Sequence, residues 1–177
     1  MTKLKPIPST IVSDVVQTED SDLARELFNQ GNYGVVDNNR VLLSFLEALY
    51  LFEKGKLVVL DGRGKPLSQD VFLTKAKRKE KKFWMKYCVF RDLRGRGYIV
   101  KTALKFGADF RVYDRGVKPG DDHAKWIVYP VYESDVMTWH DFSAKNRVAH
   151  STKKRLLLAV VDAEGDVSYW ETRWIRP

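Results

Sequence analysis

Hydrophobic and polar positions alternate most regularly in the second half of the chain. Over residues 108–113, Asp109, Arg111 and Tyr113 alternate with Phe110 and Val112. A period of two predicts a strand with one buried face. Asp114-Arg115-Gly116 ends it, and Lys118-Pro119-Gly120 supplies turn chemistry. The loop closes on Asp121-Asp122-His123, and a second strand is predicted over residues 124–131. Tyr113 thus ends one predicted strand and His123 begins the next. A helix follows, starting at Val136 or Thr138 and reaching Ala149, with Arg147 near its C-terminal end, where a cation suits the helix dipole. Lys153, Lys154 and Arg155 precede an apolar strand over residues 156–161. Residues 162–166 form an acidic turn, and residues 167–175 read as the last strand, with Tyr169, Glu171 and Arg173 opposite Trp170, Thr172 and Trp174.

The first half mixes both periods. Residues 3–16 read as short strands broken by Pro6 and Pro8. Asp20 or Ser21 caps a helix over residues 23–29 that Gly31 ends. Val35-Val36 and Val41-Leu42-Leu43 flank Asp37-Asn38-Asn39, a hairpin signal. Ser44 and Glu47 have capping-box spacing ahead of a helix to Lys54. A strand is expected over residues 57–60, and a helix capped by Ser68 over residues 71–77. The run KAKRKEKK, residues 75–82, reads first as a solvated charged face and second as an RNA contact. Trp84, Tyr87, Cys88 and Leu93 then recur at helical spacing, as core residues do, and residues 98–100 form a strand.

These elements predict an α/β (α+β) fold in two parts. Residues 1–80 make a small mixed α/β domain without a catalytic constellation, suited to scaffolding or docking. Residues 81–177 make a mixed sheet with flanking helices.

Composition narrows the class. Of 177 residues, 44% are hydrophobic and 31% charged, which fits a packed globular protein. The net charge of +8 favours a polyanionic partner. One cysteine, Cys88, excludes an internal disulfide and a cysteine-based zinc site. The apolar runs are too short to span a bilayer and the start lacks a signal-peptide core, so a cytoplasmic protein is expected.

Tyr113, His123 and Lys154 are the candidate chemistry. On one site they can take a proton, give a proton and neutralise charge without a metal or other cofactor. An imidazole titrates near ~6.5 and can donate at neutral pH. A phenol titrates near ~10, and a cation beside it would favour its phenolate form. Asp109, Asp121 and Asp122 are the rival set, as carboxylates for Mg²⁺ in a metal nuclease, although Asp109 reads better as a structural residue.

The blocks KTALKFGADFRVYDRG and AHSTKKRLLLAVVDAEGD, with His123 ten positions after Tyr113, resemble the catalytic domain of the archaeal tRNA-splicing endonucleases. The likeness covers residues 83–177, and NYG and LSFLEALYLFEKGKL extend it more weakly to the N-terminal part. The resemblance implies a nuclease-like catalytic domain at residues 81–177. It implies Tyr113 as base, His123 as acid and Lys154 as stabiliser, cutting precursor tRNA in a bulge-helix-bulge to give 2′,3′-cyclic phosphate and 5′-hydroxyl ends. It implies Arg147 with a second arginine, Arg173 or its rival Arg176, gripping bulge bases. Asp162, Glu164 and Asp166 resemble the loop that contacts another subunit. A tetramer is implied, either of four identical chains or of two catalytic and two structural chains. A non-catalytic RNA-binding subunit stays open as the alternative role, although all three catalytic residues are kept.

Overall fold

The computed structural model describes residues 5–177, so Lys3 and Leu4 of the first predicted stretch lie outside the described residues. The chain divides into two compact units, residues 1–83 and 84–177. Each contains a five-stranded mixed sheet.

In the first unit β1 (Ile7–Val12) and β2 (Val15–Thr18) form a hairpin, followed by α1 (Asp22–Asn29), β3 (Val35–Asp37), β4 (Arg40–Leu43), α2 (Phe45–Glu53), β5 (Leu57–Leu60) and α3 (Gln69–Lys79). The sheet order is β3-β4-β2-β1-β5, with β5 parallel to β1. Pro8 does not break its strand. Ile7 donates to the carbonyl of Lys56, so by alternation the nitrogen of Pro8 faces away from β5. On that side the pairing with β2 begins only at Ser9, and the ladder asks no N–H of Pro8. Asn38 and Asn39 both take positive φ, 45° and 65°, as a two-residue hairpin turn requires. The capping box of α2 is formed. Glu47, buried, accepts from the backbone and hydroxyl of Ser44 at 2.9 Å each and from Gly34 N–H at 2.8 Å.

The second unit holds α4 (Phe83–Gly95) from its second residue on, β6 (Ile99–Thr102), a 3₁₀ turn at Leu104–Phe106, β7 (Phe110–Tyr113), β8 (Trp126–Tyr132), α5 (Trp139–Ser151), β9 (Arg155–Val161) and β10 (Val167–Thr172). The order is β10-β9-β8-β7-β6, antiparallel except for the parallel pair β8 and β9, which α5 connects. Two boundaries differ from the sequence reading. β8 starts at Trp126, so His123 belongs to the preceding loop rather than to the strand. β10 stops at Thr172, which pairs with Leu156 near the start of β9, and Arg173 and Trp174 lie beyond the ladder. Lys153, ahead of β9, sits in the left-handed region at φ 55°.

The core of this unit includes Ile127, Tyr129 and Leu156 from the sheet and Ala149 from α5, with Phe106, Phe142 and Leu158 packed against them. Burying side chains of this size stabilises by about 1.5–3 kcal/mol each. The register pairs Arg111 with Ile127 and Ile127 with Leu156, so these residues and Tyr113, two positions beyond Arg111, share the α5 side of the sheet. Trp84 and Cys88 of α4 meet the β9–β10 turn. A Cβ on Gly165, at φ 87°, would come within 3.2 Å of the Cys88 sulfur, so glycine serves there in both conformation and space.

Candidate active site

One backbone residue joins three chain segments at the end of the second sheet. Lys125 donates its N–H to Val112 at 2.9 Å and accepts at its carbonyl from Arg155 at 3.0 Å. Tyr113 follows Val112, Lys154 precedes Arg155, and His123 stands two residues before Lys125. The pairing thus draws together the segments that carry Tyr113, His123 and Lys154.

Tyr113 is the last residue of β7 and is buried, its backbone paired across to Ile99. Its ring has a cation against it: the Arg111 guanidinium carbon is 5.9 Å from the ring centroid. Lys154 is positioned by the end of α5. Lys153 N–H donates to His150 at 3.0 Å and Lys154 N–H to Ala149 at 2.8 Å, the paired bonds of a Schellman motif, with Lys153 in the position that glycine usually takes. The Lys154 ammonium donates to the Thr152 carbonyl at 2.8 Å and lies 5.6 Å from the centroid of Phe106. Partial burial, and then the like charge of Arg111, hold this ammonium below the usual lysine range. His123 is exposed in its loop, with its N–H turned onto the Asp122 carboxylate at 2.6 Å. Among the described residues its imidazole makes no hydrogen bond.

The carboxylates of the rival metal set do not converge. Asp109 is paired with Lys86 at 2.7 Å, and Asp122 holds its own loop. Asp114, close to Tyr113 in sequence, is paired with Lys125 at 2.6 Å, and that bond pulls its carboxyl below the usual carboxylate range.

A second feature on the same unit is a groove of about 570 Å³ between α5 and the segment after β10. Phe142, Asn146, Arg147, His150, Arg173 and Trp174 are among its lining residues. Arg147 is exposed and has no ion-pair or hydrogen-bond partner among the described residues. Arg173 lines the groove yet is paired with Glu171 at 3.0 Å. Arg176 stacks its guanidinium 5.3 Å from the Trp174 ring, and His150 lies 4.7 Å from the same ring. Trp174 and His150 were not singled out from the sequence as groove residues. The signal available was an exposed tryptophan beside arginines just past a strand.

Asp162, Glu164 and Asp166 occupy the β9–β10 turn. Asp162 shapes it, accepting from Asp166 N–H at 2.9 Å through its carboxylate. Glu164 and Asp166 are exposed, and their side chains have no partner among the described residues.

Sequence comparison adds an independent finding. The family model described as tRNA intron endonuclease, catalytic C-terminal domain, matches residues 83–169, and its N-terminal-domain counterpart matches residues 7–73. A tRNA-splicing endonuclease of Thermococcus onnurineus is 41% identical over 172 residues, 97% of this chain and 98% of that protein. One of Pyrococcus furiosus is 42% identical over 92% and 93%, and one of Methanothermobacter thermautotrophicus is 42% identical over 93% and 95%. No helix among the described residues is long and apolar enough to cross a membrane.

Proposed function

The chain belongs to the tRNA intron endonuclease family, and from that premise we propose that it cuts precursor tRNA at the two intron boundaries of a bulge-helix-bulge. It is an endoribonuclease of the tRNA-intron lyase kind. In this reading Tyr113 takes the proton of the 2′-hydroxyl next to the scissile phosphate. The freed oxygen bonds to phosphorus, and the bond from phosphorus to the 5′-oxygen breaks. His123 gives that departing oxygen a proton, leaving a 2′,3′-cyclic phosphate and a 5′-hydroxyl. Lys154 stabilises the extra negative charge on the pentavalent phosphorus. RNA brings the nucleophile, so the scheme calls for no metal ion.

The observation that carries this reading is the pair of backbone bonds at Lys125, which gather the segments bearing all three residues at one sheet end. A buried tyrosine at a strand end and a lysine behind a Schellman motif are also held by rigid elements, as a catalytic group needs to be. The exposed loop lets His123 reach a bound strand.

Recognition in this proposal falls to the groove beside α5. An unpaired bulge base can stack between flat cationic and aromatic side chains. Arg147 faces the groove unpaired, opposite Arg173 and Trp174. Arg173 must release Glu171 to serve as the second grip, whereas Arg176 already rests on Trp174. The unpaired carboxylates of Glu164 and Asp166 suit a basic surface on another subunit, in a tetramer of identical chains or with a structural paralogue. Residues 1–80 would serve docking and residues 81–177 catalysis, in a cytoplasmic enzyme.

The deciding experiment incubates the pure protein with an intron-containing precursor tRNA in EDTA and repeats it with His123→Ala. We expect two specific cuts from the wild type, with cyclic-phosphate ends, and a loss of ~10²–10⁴ in single-turnover rate for the variant. Binding without cutting would assign a structural subunit. Cutting only after Mg²⁺ is restored would assign a metal nuclease.

A further inference from the structure

Arg111 is a half-buried side chain of the second unit with one charged donor left unsatisfied. Its Nε–H is shut off from solvent and has no hydrogen-bond partner. A buried donor left unsatisfied costs about 1–3 kcal/mol, and more when it carries charge. Folded proteins therefore give a buried guanidinium a carboxylate. The carboxylates nearest to it in sequence are engaged elsewhere: Asp109 with Lys86 and Asp114 with Lys125. Among the described residues no ion pair or hydrogen bond reaches the Arg111 side chain.

Its surroundings sharpen the imbalance. Arg111 lies on the α5 side of the sheet with Tyr113, whose ring centroid is 5.9 Å from the guanidinium carbon. Lys154, the other cation of this region, is close enough for the two like charges to oppose each other. The fold thus sets Arg111 against the tyrosine that the proposed mechanism uses as its base, with Lys154 as a second cation near Arg111 and no carboxylate on either. Such an arrangement is electrostatically complete only when an anion enters. A guanidinium offers a planar fork of donors that fits two oxygens of one phosphate, whereas an ammonium acts as a point charge.

We propose that Arg111 is a second cationic contact to the scissile phosphate, binding its non-bridging oxygens together with Lys154. This rests on the reading of Tyr113 and Lys154 given above and adds a residue to it. The demand on Arg111 rises along the reaction, because the phosphate gains negative charge as the 2′-oxygen bonds to phosphorus. Its effect therefore belongs to the chemical step more than to substrate affinity.

The test compares Arg111→Gln and Arg111→Lys with Tyr113→Phe and Lys154→Ala, all in single-turnover cleavage of precursor tRNA at saturating enzyme. We expect Arg111→Gln to slow cleavage by about 10²–10³-fold, with precursor affinity within threefold of wild type. Arg111→Lys should recover at least tenfold of that loss, since the charge is restored without the fork. Substrates with sulfur in place of one non-bridging oxygen at the scissile phosphate supply a readout that a packing defect does not move. The wild type should discriminate between the two diastereomers, and Arg111→Gln should lose much of that discrimination. If Arg111→Gln folds poorly, the same comparison between wild type and Arg111→Lys replaces it, a reduced diastereomer ratio being the expected result. Wild-type rate in Arg111→Gln, or an unchanged diastereomer ratio in both variants, overturns the role of Arg111 alone, provided that Tyr113→Phe and Lys154→Ala each slow cleavage by about 10²-fold or more. Full activity in those two variants would instead strike the underlying site.

Discussion

The phenol of Tyr169 donates a 2.7 Å hydrogen bond to the carboxylate of Asp92, across 77 positions of sequence. The bond ties β10 to α4 within the second unit, and Arg96 closes on the same carboxylate oxygen at 2.8 Å. Burial, and then the anionic partner, push the phenol's pKa above the tyrosine range. A group raised on folding contributes its stability in full below the unfolded value, near ~10 for tyrosine, and loses it as pH climbs further. Tyr169→Phe should therefore cost about 1.5–3 kcal/mol at neutral pH, as a hydrogen bond to a charged group does. The gap between wild type and variant should close above pH ~10. Urea titrations of both proteins at several pH values check this. A gap independent of pH would mean that the bond adds nothing beyond packing.

The neighbouring lysines should behave oppositely. Lys153 holds a left-handed conformation, at about 1–2 kcal/mol for a residue with a Cβ. Lys153→Gly relieves that strain and gives back part of it through the greater freedom of the unfolded chain, for a net gain of about 0.5–1 kcal/mol. Cleavage should stay at the wild-type rate in Lys153→Gly and fall by ~10²–10³ in Lys154→Ala. Melting temperatures and single-turnover rates separate the pair, and equal losses in rate would place the function on both.

Reversing charge on the β9–β10 turn should weaken assembly rather than folding. Glu164→Lys with Asp166→Lys leaves the turn's own bonds in place, because Asp162 makes them. We expect a smaller mass by light scattering at micromolar protein, with the melting of the subunit otherwise retained. An unaltered mass would make the turn a plain hairpin tip.

Arg147→Ala and Trp174→Ala should each reduce cleavage of a bulged RNA, with a smaller effect on binding to a fully paired RNA of the same flanks. Each base stacked on an aromatic or guanidinium face is worth about 1–3 kcal/mol, so a loss on the order of ten- to a hundredfold is expected. Wild-type protein that cuts the paired RNA as readily would show that bulge geometry is not what is read.

Much of the architecture was written locally. The capping box at Ser44 and Glu47 and the Asn38-Asn39 turn depend on side chains within a few residues of the backbone they bond. So does the period-two pattern ending at Tyr113, since a strand's exposed and buried faces alternate whatever it pairs with. The residue types of the site, and the family they resemble, were legible for the same reason. What stayed hidden depends on partners distant in sequence. Pro8 is tolerated because β2 pairing starts one residue later, and β10 stops at Thr172 because its partner strand β9 is nearly used up there. Lys153 is left-handed because α5 must turn sharply into β9. Neither the meeting of Tyr113, His123 and Lys154 segments at Lys125 nor the unpaired state of Arg111 follows from spacing. Register across three strands sets the first, and the second arises because Asp109 and Asp114, the carboxylates nearest to Arg111 in sequence, pair with Lys86 and Lys125 in the folded chain.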